Sequence, residues 1–330
     1  MTPQLQQNPI VAGARIRGLG SVQPEQVVTN HDIAASGVET NDEWIRDRVG
    51  IVERRFARPD ESLVDMASDA GAKALADAGL APSEIDAVLV ATCTMPSQIP
   101  NASAQVAHRI GVEASPAFDV NAACAGFCYG LGTAADMIRA GSAGNVLVIG
   151  AEKLTDWVDP NDRSTCIIFA DGAGAVVVGA ATGDEAAGIG PIAAGSAGDL
   201  AETIVVPDRS SFIYQEGQAV FRWATTKISP VAVQAIERAG LTPGDIDVLV
   251  PHQANLRIVE AMAKRLHAAG ARSDMAVADD IIRSGNTSAA SIPLAIDHMR
   301  NDGRVRSGDI ALLVGFGAGL SYAGQVVVLP

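Results

Sequence analysis

Strand-like and helix-like patterns alternate along this chain, and two of the helix-like stretches stand apart. From about Cys124 to Arg139 the residues are small and apolar almost all round, which predicts a buried helix rather than a surface one. The stretch after Asn286 reads the same way, although Pro293 falls inside it and predicts an irregular first turn. A short apolar run, Ala117–Val120, precedes the first and reads as a strand; Asn121 ends it and can cap the helix after it. Residues 310–330 carry no charge, but Gly315, Gly317, Gly319 and Gly324 divide them, with Ser321, Tyr322 and Gln325 between. That predicts strand, turn and strand, not a membrane helix. TNDEWIRDR, from Thr40, reads as an amphipathic surface helix with Thr40 as N-cap and Glu43 completing a capping box.

The pattern repeats. AGLAPSEIDAVLV, from Ala78, matches AGLTPGDIDVLVP, from Ala239, at an offset of 161 residues. NAACAGF then matches NTSAASI, and GNVLVIGAE matches GDIALLVGF, at an offset of 165. Several motifs in one order at a nearly constant offset predict a duplication, with halves 1–182 and 183–330. Each half alternates strands with helices, which predicts mostly parallel sheets flanked by helices. A helix apolar on all sides must be covered on all sides. The expected arrangement is therefore an α/β five-layer αβαβα sandwich, with the two buried helices between two sheets and amphipathic helices outside.

Composition narrows the function. The 330 residues are 48% hydrophobic, enough for a large core, and only 4% aromatic, so helices and sheets are expected to pack through small side chains. A net charge of −14 argues against nucleic acid or an anionic membrane as partner; an acidic partner would need a local basic patch. The four cysteines, Cys93, Cys124, Cys128 and Cys166, form no CxxC pair and suggest free thiols in a reducing cytosol, with no metal site. No basic-then-apolar N-terminal segment reads as a signal peptide.

The candidate chemistry lies at the buried helix. Cys124 sits at or near its N-terminus, where the dipole should lower the thiol pKa. Downstream come His252, in DVLVPHQANLRI, and Asn286, in RSGNTSAASIP. A nucleophile and two polar groups of this kind can work on a carbonyl. The pseudo-twofold of the duplication would let Cys124 face residues some 160 positions away.

TNDEWIRDRVGI, AACAGF, DRSTCIIFADGAGA, PHQANLRI, GNTSAAS and GFGAG together resemble the β-ketoacyl-acyl-carrier-protein synthase III family of the thiolase-like superfamily, nearly end to end. The resemblance implies a Cys–His–Asn triad at Cys124, His252 and Asn286. It implies transfer of an acyl-CoA primer to Cys124, then decarboxylative condensation with malonyl-acyl carrier protein. An oxyanion hole would be made of the backbone N–H groups of Cys124 and Ala318, the latter usually glycine in the family. Thr40, Trp44, Arg48 and Arg163 match nucleotide-binding positions, and Gly217, Phe221 and Asn255 match the pantetheine tunnel. Arg222, Arg257, Lys264 and Arg265 match carrier-binding positions. The resemblance further implies a homodimer that takes a coenzyme A thioester as substrate and holds no resident cofactor, and the free thiols suit a cytoplasmic protein. Ile99 stands where a phenylalanine often closes the partner's acyl pocket, which predicts a roomier primer site.

One alternative stays open on the motifs, and the others fit less well. A starter-unit ketosynthase of a polyketide pathway, or a related acyltransferase, would share every motif. A degradative thiolase needs a second cysteine near the C-terminus, and none follows Cys166. An elongating synthase has a second histidine where Asn286 stands. A cysteine hydrolase needs water at its thioester and a different architecture. A non-catalytic coenzyme A-binding subunit has no need of Cys124.

Overall fold

The computed structural model describes residue 11 and residues 13–330; the expectation of no signal peptide concerns residues mostly outside these. The chain enters on β1 (Ala14–Val22), then makes an excursion through β2 (Gln26–Thr29), α1 (Asn30–Ala35), α2 (Asp42–Val49) and β3 (Glu53–Phe56). It continues through α3 (Leu63–Ala78), β4 (Ala87–Ala91), α4 (Ala102–Ile110), β5 (Ala117–Val120), α5 (Gly126–Arg139), β6 (Asn145–Lys153) and β7 (Asp171–Ala180). There follow β8 (Ala193–Ser196), a small hairpin of β9 (Ile204–Val205) and β10 (Tyr214–Gln215), α6 (Gly217–Trp223), α7 (Ser229–Arg238), β11 (Val248–Pro251) and α8 (Leu256–Ala268). The chain closes with β12 (Ala276–Val277), α9 (Ile281–Ser284), α10 (Ser291–Asn301), β13 (Ile310–Gly317) and β14 (Ser321–Val328).

Two five-stranded sheets carry the duplication. Their orders are β1-β7-β6-β4-β5 and β8-β14-β13-β11-β12, strand for strand the same. The repeated AGL motif does the same work twice. Gly79 and Gly240 end α3 and α7 at φ 67° and 74°, a left-handed turn that glycine adopts without a Cβ clash. Asp86 then accepts the Asn145 N–H at 2.9 Å, and Asp247 accepts that of its counterpart Ile310 at 2.8 Å. The sheets are not mostly parallel as expected. In each, two of the four pairings are antiparallel, because β6 to β7 and β13 to β14 return without a crossover helix.

Strand alternation builds the five layers. Leu89 and Val148 of the first sheet, and Val250 and Leu313 of the second, face inward onto α5 and α10. Their neighbours Val88, Val90 and Leu147 face α3 and α4, while Leu249, Leu312 and Val314 face α7 and α8. Burying each such side chain stabilises the fold by about 1.5–3 kcal/mol. The central helices are therefore covered by sheet on both sides, as their small apolar composition requires. Pro293 does not break α10: it is the third residue, where no intrahelical N–H bond is lost.

Two local expectations change. The N-cap of α2 is Asn41, whose side chain accepts the Trp44 N–H at 2.8 Å. The helix thus starts one residue later than Thr40 would set it, and Glu43 falls outside a capping box. Asn121 accepts the Ala123 N–H at 3.3 Å rather than capping α5, which begins at Gly126 after a 3-10 turn, Ala123–Ala125. Cys124 lies in that turn. The second half repeats it: 3-10 turn Ser288–Ala290, then α10 from Ser291. Ala123 and Ser288, related by the offset of 165, both hold left-handed φ, 45° and 49°. The fold thus presents two similar strained elbows.

Candidate active site

Both elbows open onto one cavity of about 590 Å³. Ala123, Cys124, Cys93, His252, Asn286, Ser288, Phe316, Gly317 and Ala318 line it, as do Trp44, Arg48, Gly217, Phe221, Arg222, Asn255 and Arg257. His252 and Asn286 are buried, whereas Arg48, Arg222 and Arg257 are exposed, so the cavity runs from the core to a basic rim.

At Cys124 the backbone of β13 comes unusually close. A Cβ on Gly317 would lie 2.7 Å from Cys124 Cβ and 2.9 Å from its Sγ, so only glycine fits there. The backbone N–H groups of Cys124 and Ala318 reach the sulfur. Two N–H donors beside a nucleophile are able to stabilise charge that develops on a carbonyl oxygen. Cys124 is partly exposed because it faces the cavity, yet protein encloses it. That burial pushes the thiol up to about 12, against the pull of Ser288 and the two N–H groups. The expected lowering by a helix terminus is therefore corrected: desolvation outweighs it.

His252 follows β11 and anchors its N–H on Val314 O at 2.8 Å. Its ring meets Phe316 edge-on, centroids 5.3 Å apart. Nδ1 lies 2.7 Å from Ser291 Oγ, which also accepts the Gln253 N–H at 3.3 Å. Where the Ser291 hydroxyl donates to Nδ1, the imidazole proton lies on Nε2. Burial pushes the His252 pKa down to about 3, so the ring is neutral. Asn286 bonds across the halves, its N–H to Ile168 O and its carbonyl to the Ala170 N–H, both at 2.9 Å. Its Oδ1 accepts the Ser288 N–H at 2.9 Å, leaving the side-chain NH2 for the cavity. The site therefore offers the Cys124 thiol, with Cys93 beside it in the lining, and two neutral polar groups, an imidazole and an amide.

At the rim, the Arg163 guanidinium lies 4.7 Å from the Trp44 ring centroid and that of Arg48 5.4 Å. Arg163 does not line the cavity but donates to Glu39 O at 2.9 Å. Arg257 covers the Phe221 ring at 5.6 Å. The polar atoms of Asn255 are engaged locally: its Oδ1 accepts the Arg257 N–H and its Nδ2 donates to Arg48 O. Lys264 and Arg265 are exposed on α8, away from the lining. Thr40 does not line the cavity, and its buried hydroxyl has no partner. Ile99 is 84% exposed and does not line this chain's own cavity. Among the described residues, no cluster of three or more histidine, cysteine or acidic side chains could hold a metal, and no helix is long and apolar enough to cross a membrane.

Sequence reading missed four contributors: Ser291, Ser288, Gly317 and Glu152. The first two sit inside GNTSAAS, and Gly317 inside GFGAG, where the motifs drew attention to other residues. Glu152 had its own signal, a lone carboxylate in the apolar run of β6.

Comparison with known proteins finds relatives over nearly the whole chain. Residues 118–198 match the family model described as 3-oxoacyl-[acyl-carrier-protein (ACP)] synthase III, and residues 236–329 match that of its C-terminal part. A β-ketoacyl-[acyl-carrier-protein] synthase III from Streptomyces coelicolor is 49% identical, covering 96% of this chain and 99% of that protein. A mycobacterial β-ketoacyl-[acyl-carrier-protein] synthase III from Mycobacterium avium is 50% identical over 94% of each chain. Among solved structures, the priming β-ketosynthase of the R1128 polyketide biosynthetic pathway superposes with a TM-score of 0.93 at 41% identity, covering 99% of both chains. The 3-oxoacyl-[acyl-carrier-protein] synthase III of Aquifex aeolicus superposes with a TM-score of 0.89 at 38% identity, covering 96% of this chain and all of that one.

Proposed function

The chain belongs to the 3-oxoacyl-[acyl-carrier-protein] synthase III family, with its thiolase-like fold, and is an acyltransferase-type condensing enzyme that initiates fatty-acid synthesis; from this premise we propose that Cys124 is the acyl carrier and that His252 and Asn286 serve decarboxylation. The Cys124 sulfur attacks the carbonyl of an acyl-CoA. The N–H groups of Cys124 and Ala318 take the developing oxyanion, the bond to coenzyme A breaks, and the thiol proton leaves with coenzyme A. Malonyl-acyl carrier protein then loses carbon dioxide. The enolate oxygen receives hydrogen bonds from His252 Nε2 and Asn286 Nδ2, and the carbanion attacks the Cys124 thioester to give 3-oxoacyl-carrier protein and the Cys124 thiolate, which takes a proton from water. The observation that carries this reading is the pair of neutral donors: a carboxylate at either place would repel both malonate and enolate.

The rim suits the two substrates. Trp44, Arg48 and Arg163 offer a flat indole and guanidinium groups for the nucleotide, with Thr40 beside them. Gly217, Phe221 and Asn255 flank the pantetheine arm. Arg222, Arg257, Lys264 and Arg265 form the basic surface on which an acidic carrier protein docks, despite the chain's charge of −14. The chemistry needs no resident cofactor. The halves 1–182 and 183–330 each supply one elbow, and four free thiols suit a cytoplasmic enzyme. A homodimer is supported by β5, an edge strand of the first sheet whose Phe118 is 39% exposed, and by the exposed Ile99.

The likeness to the R1128 priming ketosynthase favours a second reading, supply of a starter unit to a polyketide pathway. The two share the chemistry and separate by primer. Half-reactions test the common core. His252→Ala and Asn286→Ala should each slow malonyl-carrier decarboxylation by about 10²–10³ as lost oxyanion donors, while Cys124 still acylates in Asn286→Ala. Normal decarboxylation in Asn286→Ala contradicts the assignment.

A further inference from the structure

Glu152 lies near the end of β6 as a fully buried carboxylate that takes no part in the proposed reaction steps. It meets no cation among the described residues; donors surround it instead. The Thr94, Ser288 and Thr92 hydroxyls reach it at 2.6, 2.9 and 3.1 Å, and the Cys93 N–H and thiol at 3.1 and 3.4 Å. An ionised carboxylate only accepts, and these groups can all donate, so the shell fits a carboxylate and opposes a carboxamide. Burial pushes the Glu152 pKa up, and the hydrogen bonds pull it back.

Ser288 joins this carboxylate to Asn286. Its hydroxyl donates to Glu152 Oε1 and its N–H to Asn286 Oδ1, both at 2.9 Å. With φ at 49°, it occupies a backbone region that disfavours non-glycine residues and must be held by its contacts. The duplication gives the same picture. The offset that relates Ala123 to Ser288 relates Glu152 to Gly317. Gly317 lies against the first elbow at Cys124, and Glu152 takes the equivalent place against the second. A bare backbone in one half corresponds to an anchoring side chain in the other.

We propose that Glu152 is a positioning residue for decarboxylation: through Ser288 it holds the Asn286 amide with its NH2 toward the cavity. This rests on the reading of Asn286 as an enolate donor. A merely structural role would lower the amount of folded enzyme and both half-reactions together. The positioning role separates them.

The test uses the full-length enzyme and compares wild type with Glu152→Gln, Ser288→Ala and Asn286→Ala. The burst of Cys124 acylation by acyl-CoA counts competent sites, and malonyl-carrier decarboxylation is expressed per acylated site. Glu152→Gln and Ser288→Ala should decarboxylate about tenfold more slowly per acylated site, the loss expected for a hydrogen bond that holds the donor, with KM for malonyl carrier protein close to wild type. Ser288→Ala leaves the other four donors of Glu152 in place, so it carries the test if Glu152→Gln fails to fold. A wild-type decarboxylation rate per acylated site in Ser288→Ala overturns the inference. A wild-type rate in Asn286→Ala instead removes the reading of Asn286 on which it stands.

Discussion

The Ser291 hydroxyl lies 2.7 Å from Nδ1 of His252 and holds the imidazole by that nitrogen. Ser291 Oγ also accepts from the Gln253 N–H, and with its own proton given to Nδ1, the arrangement the proposed enolate contact needs, His252 meets the cavity as an Nε2–H donor. Ser291→Ala should therefore weaken decarboxylation while sparing acylation of Cys124. One lost hydrogen bond is worth about 0.5–1.5 kcal/mol, or about 2- to 12-fold in rate. Threonine at 291 keeps the hydroxyl and should restore most of it. Equal rates for Ser291→Ala and wild type in a carbon dioxide release assay contradict the role.

His252 is expected to stay neutral throughout the working range. Burial places its folded pKa at about 3, below the 6.5 of a free histidine. Decarboxylation by the acylated enzyme should show no inflection near pH 6.5. The stability consequence has a definite sign. Between these two values the unfolded chain binds the proton and the folded one does not, so this contribution is fully present above pH 6.5 and is lost as pH falls toward 3. An NMR titration of the His252 ring with a midpoint above 6 would contradict both statements.

The Cys124 thiol should behave as a weak acid before substrate arrives. Pushed up to about 12, it should alkylate with iodoacetamide at a rate that climbs steadily from pH 6 to pH 9. A plateau with a midpoint below 8 would mean that the N–H groups and the turn outweigh burial.

Gly317 is expected to be irreplaceable for acylation. A methyl group there would lie 2.7 Å from Cys124 Cβ, so Gly317→Ala must move the backbone that aims the Ala318 N–H. Acyl transfer should fall by about 10²–10³, the cost of a lost oxyanion donor. Burst kinetics with acyl-CoA measure this directly, and a wild-type burst rate would show that Ala318 gives no such help.

Much of this fold was legible because its cause is compositional. The stretch from Cys124 to Arg139 has too little polar surface to face water, and the repeat at offset 165 fixed a partner for it across the molecule. Cys124, His252 and Asn286 were legible as chemistry because a thiol, an imidazole and an amide end apolar segments where side chains meet a ligand. The features that escaped the sequence depend on enclosure and on backbone direction. The Cys124 pKa reflects how much protein surrounds the thiol, which no motif records. The antiparallel return of β7 and β14 depends on connections with no helix pattern of their own. The N-cap at Asn41 instead of Thr40 is a difference of one residue between two good capping side chains.

The central claim is that Cys124 carries the acyl group. Intact-protein and peptide mass spectrometry after incubation with a panel of acyl-CoA thioesters tests it most directly and reports primer preference at once. One acyl mass is expected per chain, on the peptide containing Cys124, and none on Cys124→Ser. Acyl label on Cys93, Cys128 or Cys166, or undiminished acylation of Cys124→Ser, would contradict the account.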